Sequence, residues 1–356
     1  SMNHRRFHMG REQPTVLLQP NGLELHPREG ESILDSALRA GVNLPHSCKS
    51  GNCGSCIARL IEGEVSYPFG PPMGLNEEDR RNRSVLLCKA QAVGNVVVEA
   101  QVISRAGQAQ VKRLPCRVQE MTVLCHDVMR LVLRLPAVEP LEFLPGQYVD
   151  LMLSEGRRRS FSIASSPSQP TLLELHVRRV PEGEFTGQVF EQITSGAVLR
   201  LQGPLGNFTL QDSTRPWLMV AGGTGLAPIK SMLDWALEQA EQRPIRLYWG
   251  VRRPEDLYAV DTLERYVSEF NDFAWTPVLS EAGAESDWRG ETGLVHQAAI
   301  NGLKDLWSYD IYVAGPPGLV NAAREEMPEA GANPASIFFD SFDYAPDSLR
   351  AIAASD

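Results

Sequence analysis

The sequence predicts a multidomain chain that joins a small α+β unit, an antiparallel β barrel and a parallel α/β domain. Three observations carry that reading. The length of 356 residues exceeds what one small core supports and predicts two or three compact units. From Pro115 to about Asp212 the apolar residues come in short alternating runs separated by Gly and Pro, the pattern of an antiparallel barrel. After Pro216 continuous apolar strands alternate with helical stretches, which fits a parallel α/β sheet.

Val16 to Leu25 reads as two short strands around Pro20-Asn21-Gly22, because Asn and Gly tolerate the positive φ of a tight hairpin. Ser32 is placed to cap a helix in which Ile33, Leu34, Ala37 and Leu38 recur at helical spacing, and Gly41 can end it. A Gly- and Cys-rich loop follows, then strands at Ile57-Ala58-Arg59-Leu60 and from Val96 to Ala100. The polar, small-residue stretch from Ser104 to Gln110 suits a linker. Barrel-type strands are expected from Tyr148 to Leu153 and from Leu173 to Val177. The last domain is expected to begin with a strand from Trp217 to Ala221, a helix from Ala227 toward Glu238 and a strand from Arg246 to Gly250. The expected domain limits are 10-104, 114-212 and 213-356.

Hydrophobic residues make up 43% and charged residues 22%, which excludes wholesale disorder and a fibrous repeat. The net charge of -10 repels phosphate backbones and anionic lipid, so neither nucleic acid nor a membrane surface is an expected partner. The apolar stretch from Trp217 to Ile229 is broken by glycines and a proline and falls short of the roughly 20 residues of a spanning helix. The first residues lack an apolar signal core, and Ser1 before Met2 reads as an expression scar, with a native start at Met2 or Met9. A cytoplasmic protein is expected.

A reducing compartment disfavours a disulfide framework, so the six cysteines pose a metal question. Cys48, Cys53 and Cys56 are separated by four and then two residues, and Cys88 stands further on as a fourth ligand. This is plant-type spacing for a [2Fe-2S] cluster. A structural zinc site or buried thiols are the bland alternatives, although zinc sites more often use paired Cys-x-x-Cys units. With Gly51 and Gly54 between the cysteines, the first hundred residues resemble a plant-type ferredoxin, which implies a β-grasp fold and one-electron transfer. Cys116 and Cys125 lie outside the pattern and are expected to be core thiols.

Arg159-Ser160-Phe161-Ser162 sits between barrel-like strands, where an arginine can pair with a phosphate, an aromatic can lie along a planar ring and a hydroxyl can hydrogen-bond a flavin nitrogen. A solvated Arg157-Arg158-Arg159 run beside a buried Phe would look the same. Gly183 to Gly187, with Thr186, offers backbone N–H groups suited to a diphosphate, or an ordinary capped turn. Gly222-Gly223-Thr224-Gly225 follows a strand and opens a helix, so a dinucleotide pyrophosphate can approach its backbone. With Tyr248 to Tyr258 and with Ala314-Gly315-Pro316-Pro317, these stretches resemble the ferredoxin-NAD(P)+ reductase family over roughly residues 115 to 342.

The resemblance implies that Arg159, Phe161, Ser162 and Thr186 contact a flavin, with Ser162 at its reactive nitrogen. It implies that Gly223, Thr224 and Gly225 bind the nicotinamide dinucleotide and that Gly315 and Pro316 line the nicotinamide site. Ala314 stands where many members of the family carry cysteine. Glu281 would repel a 2′-phosphate while Arg252 could attract one, and the balance favours NADH. The second phosphate-binding element at Gly183 to Gly187 favours FAD over FMN. The domain order resembles the reductase components of bacterial oxygenases, which implies electron flow from NADH through FAD and the [2Fe-2S] cluster to a partner oxygenase. A reductase for a deoxysugar dehydratase has the same three-module arrangement, and a redox-sensing or scaffolding protein is the alternative of another class. Asp340, Phe342 and Tyr344 read either as packing residues or as a tail near the flavin.

Overall fold

Ser32 caps the first helix: its Oγ accepts from the Asp35 N–H at 3.0 Å, and Ile33, Leu34, Ala37 and Leu38 are buried along one face. Gly41, at φ +78°, ends it, with the Val42 N–H returning to the Ala37 carbonyl at 2.8 Å. This helix, α1 (Ile33–Arg39), packs with a sheet built from β1 (Val16–Gln19), β2 (Leu23–Leu25), β3 (Ile57–Ser66), β4 (Ser84–Leu86) and β5 (Gln91–Glu99). The strand order is β2-β1-β5-β3-β4, with β1 parallel to β5 and the other pairs antiparallel, which is the β-grasp arrangement. A short helix, α2 (Glu77–Arg81), is closed by a capping box between Asn76 and Asp79.

The computed structural model describes residues 13–46, 49–52, 54–102, 111–152, 158–180, 187, 189, 191, 193–283 and 286–342. They form two compact units, residues 1–45 with 49–103 and residues 46–48 with 104–356. Among the described residues no helix is long and apolar enough to cross a membrane.

The second unit begins with β6 (Lys112–Cys125), β7 (Val128–Arg134), β8 (Tyr148–Met152), β9 (Arg158–Ser162), β10 (Leu172–Arg178) and β11 (Val198–Leu205). They form an antiparallel sheet in the order β10-β7-β6-β11-β8-β9. An Ile163–Leu175 bridge and the Ala164 N–H on the Glu174 carbonyl at 2.8 Å join its two edges, so the sheet closes into the predicted barrel. Leu173, Leu175 and Val177 of β10 point into its core with Val118, Leu131 and Leu201.

The chain then builds a parallel sheet in the order β15-β14-β13-β12-β16-β17. Its elements are β12 (Trp217–Gly222), α3 (Leu226–Glu238), β13 (Ile245–Val251), α4 (Val260–Glu269), β14 (Phe273–Leu279), β15 (Glu291–Thr292), α5 (Val295–Gly302), β16 (Asp310–Gly315), α6 (Pro317–Glu329) and β17 (Ile337–Ser341). Alternate residues of β12 serve two cores: Trp217, Met219 and Ala221 pack with α3 and α4, and Leu218 and Val220 with α5 and α6. The order reverses on either side of β12, so the loops after β12 and β16 open side by side at the switch point where α/β sheets bind ligands.

The alternation in β10 predicts one wet face, yet Glu174 and His176 are buried too. Helix α3 covers Glu174, and Tyr258 packs edge-on against His176 with its hydroxyl 3.0 Å from Nδ1. Lys230 Nζ lies 2.8 Å from both Glu174 and Asp234, Arg130 also bonds Glu174, and the Ser231 hydroxyl donates to the Ser165 carbonyl at 2.7 Å. Burial alone would raise the Glu174 carboxyl, but the His176 and Lys230 partners outweigh it and hold the group well below its ordinary value of 4.5. The stability it contributes is therefore fully present above pH 4.5 and is lost as pH falls toward the depressed native value. Lys230→Met leaves that buried carboxylate with Arg130 and His176 but without its ammonium partner, and is expected to cost about 3 kcal/mol, the lower end for a broken buried pair. Urea unfolding above and below pH 4.5 checks this, and the deficit should shrink on the acid side.

Candidate functional site

In the first unit the cluster loop turns on Lys49, Gly51 and Gly54, all at positive φ (55°, 81° and 73°). A Cβ on Gly51 would come within 2.9 Å of Lys89 and 3.1 Å of Pro72, so the loop wraps too tightly for any side chain there. Cys56 and Cys88 are both buried, and the Leu87 N–H donates to the Cys56 carbonyl at 3.2 Å, drawing the two segments together. Burial raises the Tyr67 hydroxyl above its ordinary value, and that hydroxyl accepts the Leu86 N–H at 3.3 Å, two residues before Cys88. Two buried sulfur donors, one at the end of the glycine-turned loop and one on the segment it meets, supply half of the four-thiolate set of an iron-sulfur cluster and do not suit a hard cation. Cys48 and Cys53 lie outside the described residues.

In the second unit every residue of β9 is half-buried, whereas its neighbour β8 is buried from Tyr148 to Leu151. That half-open edge leaves a strip on which a planar ring can lie. Phe161 leans on the barrel core and alternates with Ser160 and Ser162. The Ser160 hydroxyl donates to Asp150 at 2.5 Å, and the Ser162 hydroxyl donates to Asp340 at 3.3 Å. Asp340 is buried on β17, and two residues later the Phe342 N–H donates to the Gly315 carbonyl at 3.0 Å. Strand β17 thus brings the flavin-type motif and the Gly-Pro pair together. Arg159 sits on β9, half-buried. Thr186 and Tyr344 lie outside the described residues.

The glycine loop fits close approach in a checkable way. A Cβ on Gly222 would meet Leu319 at 2.8 Å and Pro316 at 3.1 Å, and one on Gly225 would stand 2.1 Å from the Ala314 carbonyl oxygen. Gly223, at φ +54°, faces open space instead, and Trp249 Nε1 donates to its carbonyl at 2.9 Å, which fixes the turn. Gly222, Gly223 and Thr224 line a cleft of about 350 Å³ with Pro316, Tyr258 and Arg252. The sequence gives no signal for Trp249 in this role, since a buried Trp on a sheet strand reads as core.

The two remaining cysteines separate. Cys116 is a core thiol, pushed up to about 12 by burial. Cys125 is only half-buried at the end of β6, is pushed up to about 11 by burial and by the carboxylate beside it, and donates to Asp127 at 3.3 Å.

Family comparison matches residues 16–93 to the 2Fe-2S iron-sulfur cluster binding domain, residues 115–210 to the oxidoreductase FAD-binding domain and residues 219–325 to the oxidoreductase NAD-binding domain. The CDP-6-deoxy-L-threo-D-glycero-4-hexulose-3-dehydrase reductase of Yersinia pestis is 34% identical over 92% of this chain and 98% of its own length. Reductase component 1 of terephthalate 1,2-dioxygenase from Comamonas is 34% identical over 89% of this chain and 94% of its own. Among solved structures, the Amycolatopsis cytochrome P450 reductase GcoB superimposes with a TM-score of 0.79 at 30% identity, covering 93% of this chain and 99% of that one.

Proposed function

From the premise that the chain belongs to the ferredoxin-NAD(P)+ reductase family with a fused N-terminal [2Fe-2S] ferredoxin, we propose that it is the reductase component of an oxygenase system. It is an NAD(P)H-dependent iron-sulfur flavoprotein oxidoreductase with FAD, a [2Fe-2S] cluster and NADH as cofactors, and it delivers electrons to an accepting protein partner. The observation that carries the reading is the junction at β17, where Ser162 of the edge strand and the Gly315 loop meet through Asp340 and Phe342. FAD supplies the conversion of a two-electron donor into single-electron steps.

The chain's own residues prepare that exchange. Arg159, Phe161, Ser162 and Thr186 hold the flavin; Gly223, Thr224, Gly225, Gly315 and Pro316 hold the dinucleotide; Cys48, Cys53, Cys56 and Cys88 hold the cluster. With its proton on Asp340, the Ser162 oxygen presents lone pairs that accept an N–H from a reduced ring, and rotation of the hydroxyl lets it donate to an oxidised one. Residues 10-104, 114-212 and 213-356 are the three domains of this reading, supported by the spans of the three family matches. A cytoplasmic location goes with thiolate ligands kept reduced. Spectra recorded anaerobically before and after NADH test the relay: flavin and cluster should both bleach, and an oxidised cluster beside a bleached flavin overturns it.

Glu281 marks the preference for NADH. It is exposed just beyond β14, its N–H bonds the Arg252 carbonyl at 2.9 Å, and Arg253 lies 3.8 Å from its carboxylate. Glu281→Arg is expected to raise kcat/KM for NADPH by about tenfold, equivalent to ~1.4 kcal/mol. Steady-state rates with both nucleotides and ferricyanide check it.

A second reading, a reductase for a deoxysugar dehydratase, is favoured by the Yersinia pestis relative, which matches over 98% of its length. Reconstitution with a candidate oxygenase and with a candidate dehydratase separates the two, since only the true acceptor should turn over with NADH.

A further inference from the structure

We propose that Cys125, His126, Asp127 and Asp256 form a binding site for a zinc-class divalent cation at the rim of the dinucleotide cleft. The end of β6, the turn after it and the segment before α4 bring Cys125, Asp127 and Asp256 together, and His126 reaches both carboxylates. Cys125 Sγ lies 3.3 Å from Asp127 Oδ1, and His126 Nε2 lies 3.7 Å from the same oxygen and 2.6 Å from Asp256 Oδ1. The ligand atoms of Cys125, Asp127 and Asp256 all fall within 4.8 Å of one another.

Zinc bonds of about 2.0–2.3 Å in a tetrahedron place neighbouring ligand atoms ~3.3–3.8 Å apart. Of the six ligand–ligand separations, Cys125–Asp127 and His126–Asp127 already match, Cys125–Asp256 and Asp127–Asp256 fall within 4.8 Å, and His126–Asp256 opens by a small swing of the His126 ring, whose side chain is 63% exposed. The carboxylates are also aimed. Asp127 Oδ2 accepts from Arg178 Nε at 3.2 Å and Asp256 Oδ2 accepts from the Arg253 N–H at 3.0 Å, which leaves each Oδ1 turned toward the cluster of donors. One sulfur, one imidazole nitrogen and two carboxylate oxygens suit zinc and disfavour magnesium or calcium, which take oxygen alone. On binding, the Cys125 proton passes to solvent and the thiolate bonds the metal.

The location gives the site a consequence. His126, Asp127 and Asp256 form part of the wall of the cleft that holds Gly223, Thr224 and Pro316. A cation there clamps the barrel turn to the nucleotide domain and narrows the entry, so zinc raises KM for NADH; this last step rests on the reductase reading above, whereas binding itself does not.

The test uses the holoprotein with flavin and cluster in place. Zinc chloride is added, excess is removed by desalting, and retained zinc is counted by elemental analysis while visible absorbance follows the cluster. The expected result is about one zinc per chain with the cluster spectrum intact, and an affinity weakened more than about tenfold in Cys125→Ala, at least the loss an outer-shell partner causes. Cys116→Ala, whose thiol lies in the barrel core, should bind as the parent does. With cytochrome c as the acceptor, zinc should raise KM for NADH in the parent and not in Cys125→Ala. Equal retention by Cys125→Ala, or uptake that tracks loss of cluster absorbance, overturns the site, and bound zinc that leaves KM unchanged overturns its effect on the cleft. Retention is read without NADH, so a failed metal site and a failed reductase reading are told apart.

Discussion

Cys88→Ala is expected to abolish NADH-driven reduction of a protein acceptor while NADH-driven reduction of ferricyanide, a small oxidant able to meet the flavin directly, continues at a rate close to the parent's. Cys88 is buried in the turn between β4 and β5, beside Cys56, and four thiolates are needed to hold two irons. A missing thiolate leaves an iron without its charge-compensating ligand, and the alanine methyl group offers no donor in its place. The cluster absorbance should vanish and the flavin absorbance remain. The barrel and the parallel sheet have their own cores, which the substitution does not touch. The split between the two acceptors is the informative readout: if both rates fall together, the defect is one of folding or flavin loss, and if both persist, the cluster is not on the path to the protein acceptor.

The parts of this picture that were legible in the sequence are those written locally. Ser32, the 3.6-residue spacing of Ile33 to Leu38 and Gly41 specify α1 within ten residues, and the structure follows them. The cysteine spacing and the strand-loop-helix at Gly222 to Leu226 are likewise short-range patterns with one dominant physical reading. The strands ran longer than their expected cores: Ile57 to Leu60 extends to Ser66, because pairing with β5 carries the ladder through polar residues that show no apolar alternation. What could not be read lies at long separation. Asp340 meets Ser162 across 178 residues, and Glu174 meets Lys230 only because α3 lies across the outer face of β10. A charged residue in an alternating strand reads as solvent-facing, and only the domain packed against it converts it into a buried partner. The same holds for Cys125, which composition reads as a core thiol and which topology places beside Asp127 and Asp256.

The glycine loop offers the other large effect, because neighbouring glycines in it are required for different reasons. At Gly225 a methyl group would stand 2.1 Å from the Ala314 carbonyl oxygen and 2.6 Å from its carbon, and both are backbone atoms of β16 that no rotamer change can move. Gly225→Ala must therefore push the loop away from the sheet, and a cost of about 3 kcal/mol is expected, the upper range for overpacking. For a domain of this size that lowers Tm by roughly 6–12 °C. Gly223 differs: nothing lies within 4 Å of its added Cβ, and only its φ of +54° resists a side chain. Gly223→Ala is expected to cost only about 1–2 kcal/mol, the left-handed penalty for an L-residue. Its methyl group would nevertheless occupy the cleft in front of the backbone, where the pyrophosphate is expected to lie. KM for NADH should then rise by about tenfold or more, a loss of ~1.4 kcal/mol or greater in binding. Thermal unfolding and NADH–ferricyanide kinetics on the two variants separate these effects: Gly225→Ala should be the less stable protein, and Gly223→Ala should lose less stability yet be weak for NADH. An unchanged KM in Gly223→Ala would remove this loop from the dinucleotide site, whatever its resemblance to such loops.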